Sequence, residues 1–166
     1  MACNVTVWLM RVLFVCLGNI CRSPTAEGVM RALVRDAGLD GEIEVESAGT
    51  ASYHVGDPPD ARSVAAATDR GVALDSRARQ VSEADFNGFD LLIAMDRSNC
   101  EELRALAPDD ESEARVRLLR EFDPDADGPD VPDPYYGGAD GFEDVLDIVE
   151  RSSRALLDEI RAGRLP

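Results

Sequence analysis

The chain's 166 residues favour one domain with a core of its own, and a content of 45% apolar and 30% charged residues is globular rather than disordered or fibrous. Its 33 acidic residues face only 17 lysine-plus-arginine positions, all of them arginine, for a net charge of -16. A surface this acidic repels phosphodiester backbones and anionic lipid, which argues against nucleic-acid and membrane partners and requires any bound phosphate to be held by a local field.

The apolar stretch from Val5 to Leu17 lacks a basic leader, carries Arg11 in its middle and runs into Gly18-Asn19 without a small-residue cleavage site. It therefore does not read as a signal peptide. No stretch reaches the roughly 20 apolar residues of a membrane span. Residues 1–10 read as an N-terminal extension of uncertain order, and 11–166 as a single domain. Val12-Leu13-Phe14-Val15-Cys16 is a short, solidly apolar run, as expected of a strand buried on both faces of a parallel sheet. Ala26, Val29, Met30, Leu33, Val34 and Ala37 then recur at helical spacing, with Ser23 as the predicted cap, Pro24 in the first turn and Gly38 at the end. Ile43-Glu44-Val45 and Val116-Arg117-Leu118 alternate apolar with charged and suit outer strands, whereas Leu91–Met95 repeats the buried pattern. Ser98 and Glu101 have capping-box spacing before Leu103 and Leu106, and Pro108 stops that helix. The acidic run Asp109–Glu113 reads as a solvated loop. Phe142, Val145, Leu146, Val149, Leu156 and Ile160 form a last long stripe. Alternating strand and helix predicts an open α/β sheet, in which ligands bind beyond the carboxyl ends of the strands.

The loop after the first strand reads Cys16-Leu17-Gly18-Asn19-Ile20-Cys21-Arg22-Ser23. A tight turn from strand into helix directs backbone N–H groups inward as a nest for an anion, and the helix N-terminus adds positive partial charge. Arg22 supplies a planar fork that matches two phosphate oxygens. Gly18 is expected to give the backbone its freedom to fold closely. The field that holds a phosphate also stabilises a thiolate, which makes Cys16 a nucleophile aimed at phosphorus, with Ser23 placed to donate to the sulfur. The loop lacks the lysine and glycines of a nucleotide-binding P-loop. Asp123-Pro-Asp-Ala-Asp-Gly128 imitates the start of a calcium loop, but Pro134 stands where the twelfth-position glutamate belongs, so no metal is expected there.

The sequence resembles the low-molecular-weight protein tyrosine phosphatases. Val12–Glu27 carries that family's signature nearly unbroken, and Glu46–Thr50, Gly56–Asp60, Ala78–Gln80, Met95–Asn99 and Asp133–Tyr136 match in order from about Arg11 onward. The resemblance implies a three-layer fold: a sheet of four parallel strands flanked by helices, with the phosphate loop after the first strand. It further implies hydrolysis of phosphotyrosine monoesters through a phosphocysteine intermediate, without metal or cofactor, releasing inorganic phosphate. Cys16, Arg22 and Asp133 are then the catalytic residues, Asp133 as general acid; nothing in the residues alone singles it out among 33 carboxylates. Leu17, Gly18, Asn19, Ile20, Cys21 and Ser23 form the phosphate cradle, and Tyr53, Tyr135 and Tyr136 wall a slot for a phenyl ring. Ile20 points to phosphotyrosine, because the phosphoarginine-directed members carry threonine there. Ser47 supports the loop through Asn19, and Ser76 stands where many members have a histidine that braces it. Cys21 is a candidate redox partner that shields Cys16 as a disulfide under peroxide.

The partners implied are phosphotyrosine-containing proteins, with a monomer or weak dimer as the expected state. Four cysteines, at 3, 16, 21 and 100, leave most of the chain unstapled, which reads as a reducing cytoplasm. Cys3 and Cys100 have no evident role, and the lone histidine, His54, reads as a surface residue. Two alternatives keep the same fold: an arsenate reductase, which needs two further closely spaced cysteines, and a phosphoprotein-binding module without turnover.

Overall fold

In the computed structural model, which describes residues 9–165, β1 (Met10–Cys16) runs through the middle of the molecule. Positions 1–8, which hold Cys3 and most of the N-terminal extension, lie outside the described residues. The chain continues through α1 (Arg22–Asp36), β2 (Ile43–Gly49), α2 (Ala61–Asp69), α3 (Asp85–Gly88), β3 (Leu91–Ala94), α4 (Arg97–Leu106), α5 (Asp110–Ala114) and β4 (Val116–Leu118). A 3-10 turn (Leu119–Glu121) and α6 (Asp140–Arg161) complete it. The four strands pair in the order β2-β1-β3-β4, all parallel. The solidly apolar strands are thus central and the alternating ones are at the edges.

Alternation along β1 divides the core. Val12, Phe14 and Cys16 join the layer made with α1 and α6, through Val29, Met30, Leu146 and Val149. Leu13 and Val15 face the opposite layer, with Phe86, Leu92 and Leu103. Cys16 therefore ends the strand on the α1 side, directly beside Gly49 in the β1–β2 register.

Three local expectations give way to tertiary structure. Helix α1 begins two residues earlier than a Ser23 cap allows: Cys21 occupies the cap position with no side-chain cap, and the Ser23 hydroxyl turns to Cys16 instead. Gly38 does end that helix, at φ 72°, with Leu39 N–H returning to the Val34 carbonyl. Helix α4 is capped by Asp96, whose Oδ1 accepts from Asn99 N–H at 2.8 Å, not by the exposed Ser98. The Asp109–Glu113 run is mostly helical: Asp109 caps α5, and its first-turn carboxylates sit favourably at a helix N-terminus. Among the described residues no helix is long and apolar enough to cross a membrane.

Candidate active site

The loop from Cys16 to α1 folds over the carboxyl end of β1. Two bonds from the end of β2 hold its outer side: Thr50 N–H reaches the Cys16 carbonyl at 2.9 Å and Ala51 N–H the Leu17 carbonyl at 3.0 Å. Asp60 N–H holds the Ile20 carbonyl at 2.7 Å. With these carbonyls bonded outward, the loop is free to present amides to the Cys16 side, and Asn19 N–H lies 3.3 Å from the Cys16 sulfur. The left-handed residue of the loop is Asn19 (φ 56°), not Gly18. Gly18 serves clearance, because a Cβ there would approach the His54 ring to 3.0 Å.

Asn19 is buried and uses every arm of its side chain. Its Nδ2 donates to Ser23 Oγ at 2.8 Å and to Ser47 Oγ at 2.9 Å, while Oδ1 accepts from Arg79 N–H at 3.0 Å. Ser23 Oγ in turn sits 3.0 Å from Cys16 Sγ. Ser47 hands the network on to the buried Glu27, whose Oε2 accepts its hydroxyl at 3.0 Å. Burial raises the Glu27 pKa, opposed by Arg31 and by hydrogen bonds from Ser76 and Ser47. Ser76 is not among the side-chain partners of the Asn19 it was expected to brace.

Arg22, only 3% exposed, reaches across the loop. Its Nη1 donates to Asp96 Oδ2 at 2.6 Å and to the Val131 carbonyl at 3.1 Å, and Nη2 lies 3.5 Å from Asp133 Oδ2. Burial works against its charge, but Cys16, Asp96 and Asp133 outweigh that and hold its pKa above the ordinary value. Asp133, 41% exposed, accepts from Tyr135 N–H at 3.1 Å through its other oxygen. One cleft of about 120 Å³ brings together Cys16, Leu17, Gly18, Ile20, Cys21, Arg22, Asp133 and the three tyrosines. Tyr135 and Tyr136 meet edge to face at 4.9 Å, with Tyr136 almost wholly exposed. The Cys21 thiol is pushed up to about 12, chiefly by burial.

Four residues in or beside the cleft were not singled out from the sequence. His54 lines the cleft beside Tyr135 (centroids 6.4 Å apart), so it is a surface residue of the cleft wall itself. Asp96 orients Arg22, Glu27 anchors the Asn19 network, and Arg62 lies over both Tyr135 and Phe142. The calcium-like segment makes arginine contacts instead: Asp123 pairs with Arg120 and Arg151. No group of three or more potential metal ligands occurs among the described residues.

The structure thus sets a thiol at a strand end of a parallel α/β sheet, next to the start of a helix and in one cleft with a buried guanidinium. Residues 11–164 match the family model of low molecular weight phosphotyrosine protein phosphatases. A low molecular weight protein-tyrosine-phosphatase from Streptomyces coelicolor is 51% identical over 153 residues, covering 91% of this chain and 93% of its own. A protein tyrosine phosphatase from Entamoeba histolytica, solved with Hepes in its active site, superposes with a TM-score of 0.91 at 40% identity, covering 94% of this chain and 99% of its own. The Drosophila arginine phosphatase structure gives 0.86 at 33% identity, with coverages of 92% and 98%. The chain belongs to the low molecular weight protein-tyrosine-phosphatase family, and its activity is hydrolysis of phosphorylated protein side chains.

Proposed function

We propose that Cys16 is the nucleophile of a phosphotyrosine hydrolase, Arg22 and the loop amides from Leu17 to Ser23 its phosphate clamp, and Asp133 its general acid. The sulfur attacks phosphorus in line as the bond to the phenolic oxygen breaks, and Asp133 protonates that oxygen as it leaves. Arg22 and the amides stabilise the charge on the equatorial oxygens. Water then attacks the phosphocysteine, giving its proton to the Asp133 carboxylate, and the P–S electron pair returns to sulfur with inorganic phosphate released. Ser23 Oγ, 3.0 Å from that sulfur, stabilises it as leaving group. The observation that carries this reading is the convergence of Cys16, Arg22 and Asp133 on one cleft, with Arg22 Nη2 3.5 Å from Asp133.

Tyr53, Tyr135 and Tyr136 wall that cleft, which supports an aromatic phosphoester; Ile20 beside them supports phosphotyrosine over phosphoarginine. Ser47 and Ser76 support the loop through Asn19 and Glu27. Cytoplasmic phosphotyrosine proteins are the proposed substrates, acted on by a monomer or weak dimer. Under peroxide, Cys16 becomes a sulfenic acid and the Cys21 thiol displaces water from it, forming a reversible disulfide. The test is metal-free hydrolysis of an aryl phosphate and of phosphotyrosine and phosphoarginine peptides. Cys16→Ser abolishes turnover, and Asp133→Asn lowers it by about 10²- to 10⁴-fold. Full activity of Cys16→Ser overturns the mechanism, and preference for the phosphoarginine peptide overturns the substrate.

A further inference from the structure

The proposed acid sits on a connection with no regular structure, from Phe122 to the start of α6 at Asp140. General-acid catalysis demands that its carboxyl be held within hydrogen-bond reach of the leaving oxygen, so something must grip this loop. The Val131 N–H extends the β3 line by bonding to the Met95 carbonyl at 2.8 Å. Arg22 holds the Val131 carbonyl from the phosphate side. From the other side a second buried guanidinium, Arg120, holds the preceding carbonyl: Nη1 donates to Asp130 O at 3.1 Å. Its Nη2 donates to Asp127 Oδ1 at 2.7 Å. Two successive carbonyls, two and three residues before Asp133, are therefore each gripped by a different arginine.

Arg120 is itself buried and ion-paired, although its Nε makes no hydrogen bond. Its side chain is 4% exposed, and its Nε faces Asp123 at 3.3 Å. The Asp123 carboxylate is fully buried and bonded by Arg151 Nε at 3.1 Å, Arg151 Nη2 at 3.2 Å and Asp125 N–H at 2.9 Å. This is the segment whose aspartates imitate a calcium loop; they form instead an arginine-centred anchor joining the 3-10 turn, α6 and the acid loop. Arg97 adds a bidentate pair with Asp130, but it is 68% exposed and screened by solvent, so it cannot hold the loop as a buried group does.

We infer that Arg120 is a positioning residue for the general acid: by clamping the Asp130 carbonyl and Asp127 against the buried Asp123, it sets where Asp133 stands relative to Cys16. This rests on the reading of Asp133 as the acid. The consequence is specific to leaving-group chemistry. A p-nitrophenolate leaves with little help from an acid, whereas a phenolate needs its oxygen protonated, so misplacing Asp133 hurts phenyl phosphate more than p-nitrophenyl phosphate.

The experiment measures kcat/KM for both esters in the wild type, Arg120→Met, Arg120→Lys and Asp127→Asn, each alone and in an Asp133→Asn background. Arg120→Met is expected to lose about ten-fold more on phenyl phosphate than on p-nitrophenyl phosphate. Arg120→Lys recovers part of that difference, and Asp127→Asn, altered at an exposed carboxyl, shows about a two- to three-fold difference in the same direction. In the Asp133→Asn background the discrimination disappears, because there is no acid left to position. Equal losses on the two esters, or a discrimination that persists without Asp133, would overturn the inference and leave Arg120 as packing alone. If Arg120→Met does not fold, the Lys and Asp127 variants decide it by the same ratio. The reading of Asp133 fails separately, if Asp133→Asn alone leaves the leaving-group dependence unchanged.

Discussion

Asn19→Ala tests the physical basis of the phosphate loop most directly. The substitution removes three buried hydrogen bonds, to Ser23, Ser47 and Arg79 N–H, and places alanine at φ 56°. Each bond contributes a net of about 1 kcal/mol, and a left-handed alanine costs about 1 kcal/mol more than asparagine. The expected loss is about 4 kcal/mol, which for a domain of this size lowers Tm by about 8 to 16 °C. A loop that no longer directs its amides at one point also loses about 10- to 100-fold in kcat/KM for an aryl phosphate. Asn19→Gly separates the causes, since it removes the same bonds but tolerates the dihedral, and should melt above the alanine variant by about 1 kcal/mol of stability. Calorimetry and steady-state kinetics on the three proteins suffice. An alanine variant that melts with the wild type, or a glycine variant no more stable than the alanine one, would refute the account.

Near neutrality iodoacetate, itself an anion, should alkylate Cys16 and spare Cys21, whose thiol is pushed up to about 12, and Cys100, whose thiol is also raised by burial. Peptide mapping that finds Cys21 modified first contradicts this. Burial works against the charge of Asp123, but Arg151, Asp125 N–H and Arg120 outweigh it and lower the pKa from 3.8. A carboxyl lowered on folding contributes stability above its unfolded pKa and loses it as pH falls through the folded one. Asp123→Asn should therefore cost about 3 kcal/mol at neutral pH, with the denaturation midpoints of variant and wild type converging below pH 3.8; parallel curves would exclude the linkage. Gly28→Ala improves helix propensity by about 1 kcal/mol but sets a Cβ 2.5 Å from Leu74 Cδ2 and 2.9 Å from the Ala73 carbonyl. The backbone contact cannot yield as a side chain can, so a net destabilisation of about 1 to 2 kcal/mol is expected on chemical denaturation, and a stabilised variant contradicts it.

The central strands were legible because burial on both faces leaves only apolar residues in Val12–Cys16 and Leu91–Met95. The outer strands were legible by alternation. The place of the loop was legible because its parts are local: strand end, loop, arginine, helix start. Capping failed where a side chain had a better tertiary partner. Ser23 bonds Cys16, and Asp96, at the turn after β3, reaches Asn99 N–H before Ser98 has any part in it. Helix α2 left little trace because its buried residues, Ser63, Ala66 and Ala67, are too small to make a stripe. Asp133, Glu27 and Arg120 could not be read locally at all. Each matters through a partner far along the chain or through a loop with no periodicity, and a carboxylate's burial is not written in its neighbours.

The surface charge and the anion site are reconciled by distance. Among 33 acidic residues, none falls in the first turn of α1, as in α2 and α4, whereas α5 and α6 both carry carboxylates there. Glu27, deeper in α1, is paired with Arg31 at 3.0 Å, and Asp96 is bonded to both Arg22 and the start of α4. On the proposed reading the nearby field favours phosphate through buried donors that salt screens weakly, while the net charge of -16 acts from the surface, where salt screens it well. Raising ionic strength shrinks the Debye length from about 30 Å at ~0.01 M to about 8 Å at ~0.15 M. The repulsive part should fade first, so kcat/KM for a dianionic aryl phosphate should rise with an inert salt over that range while kcat stays level. A fall in kcat/KM with salt would mean that the attraction is carried by exposed charge, and the buried arginine and helix terminus would not then be what holds the phosphate.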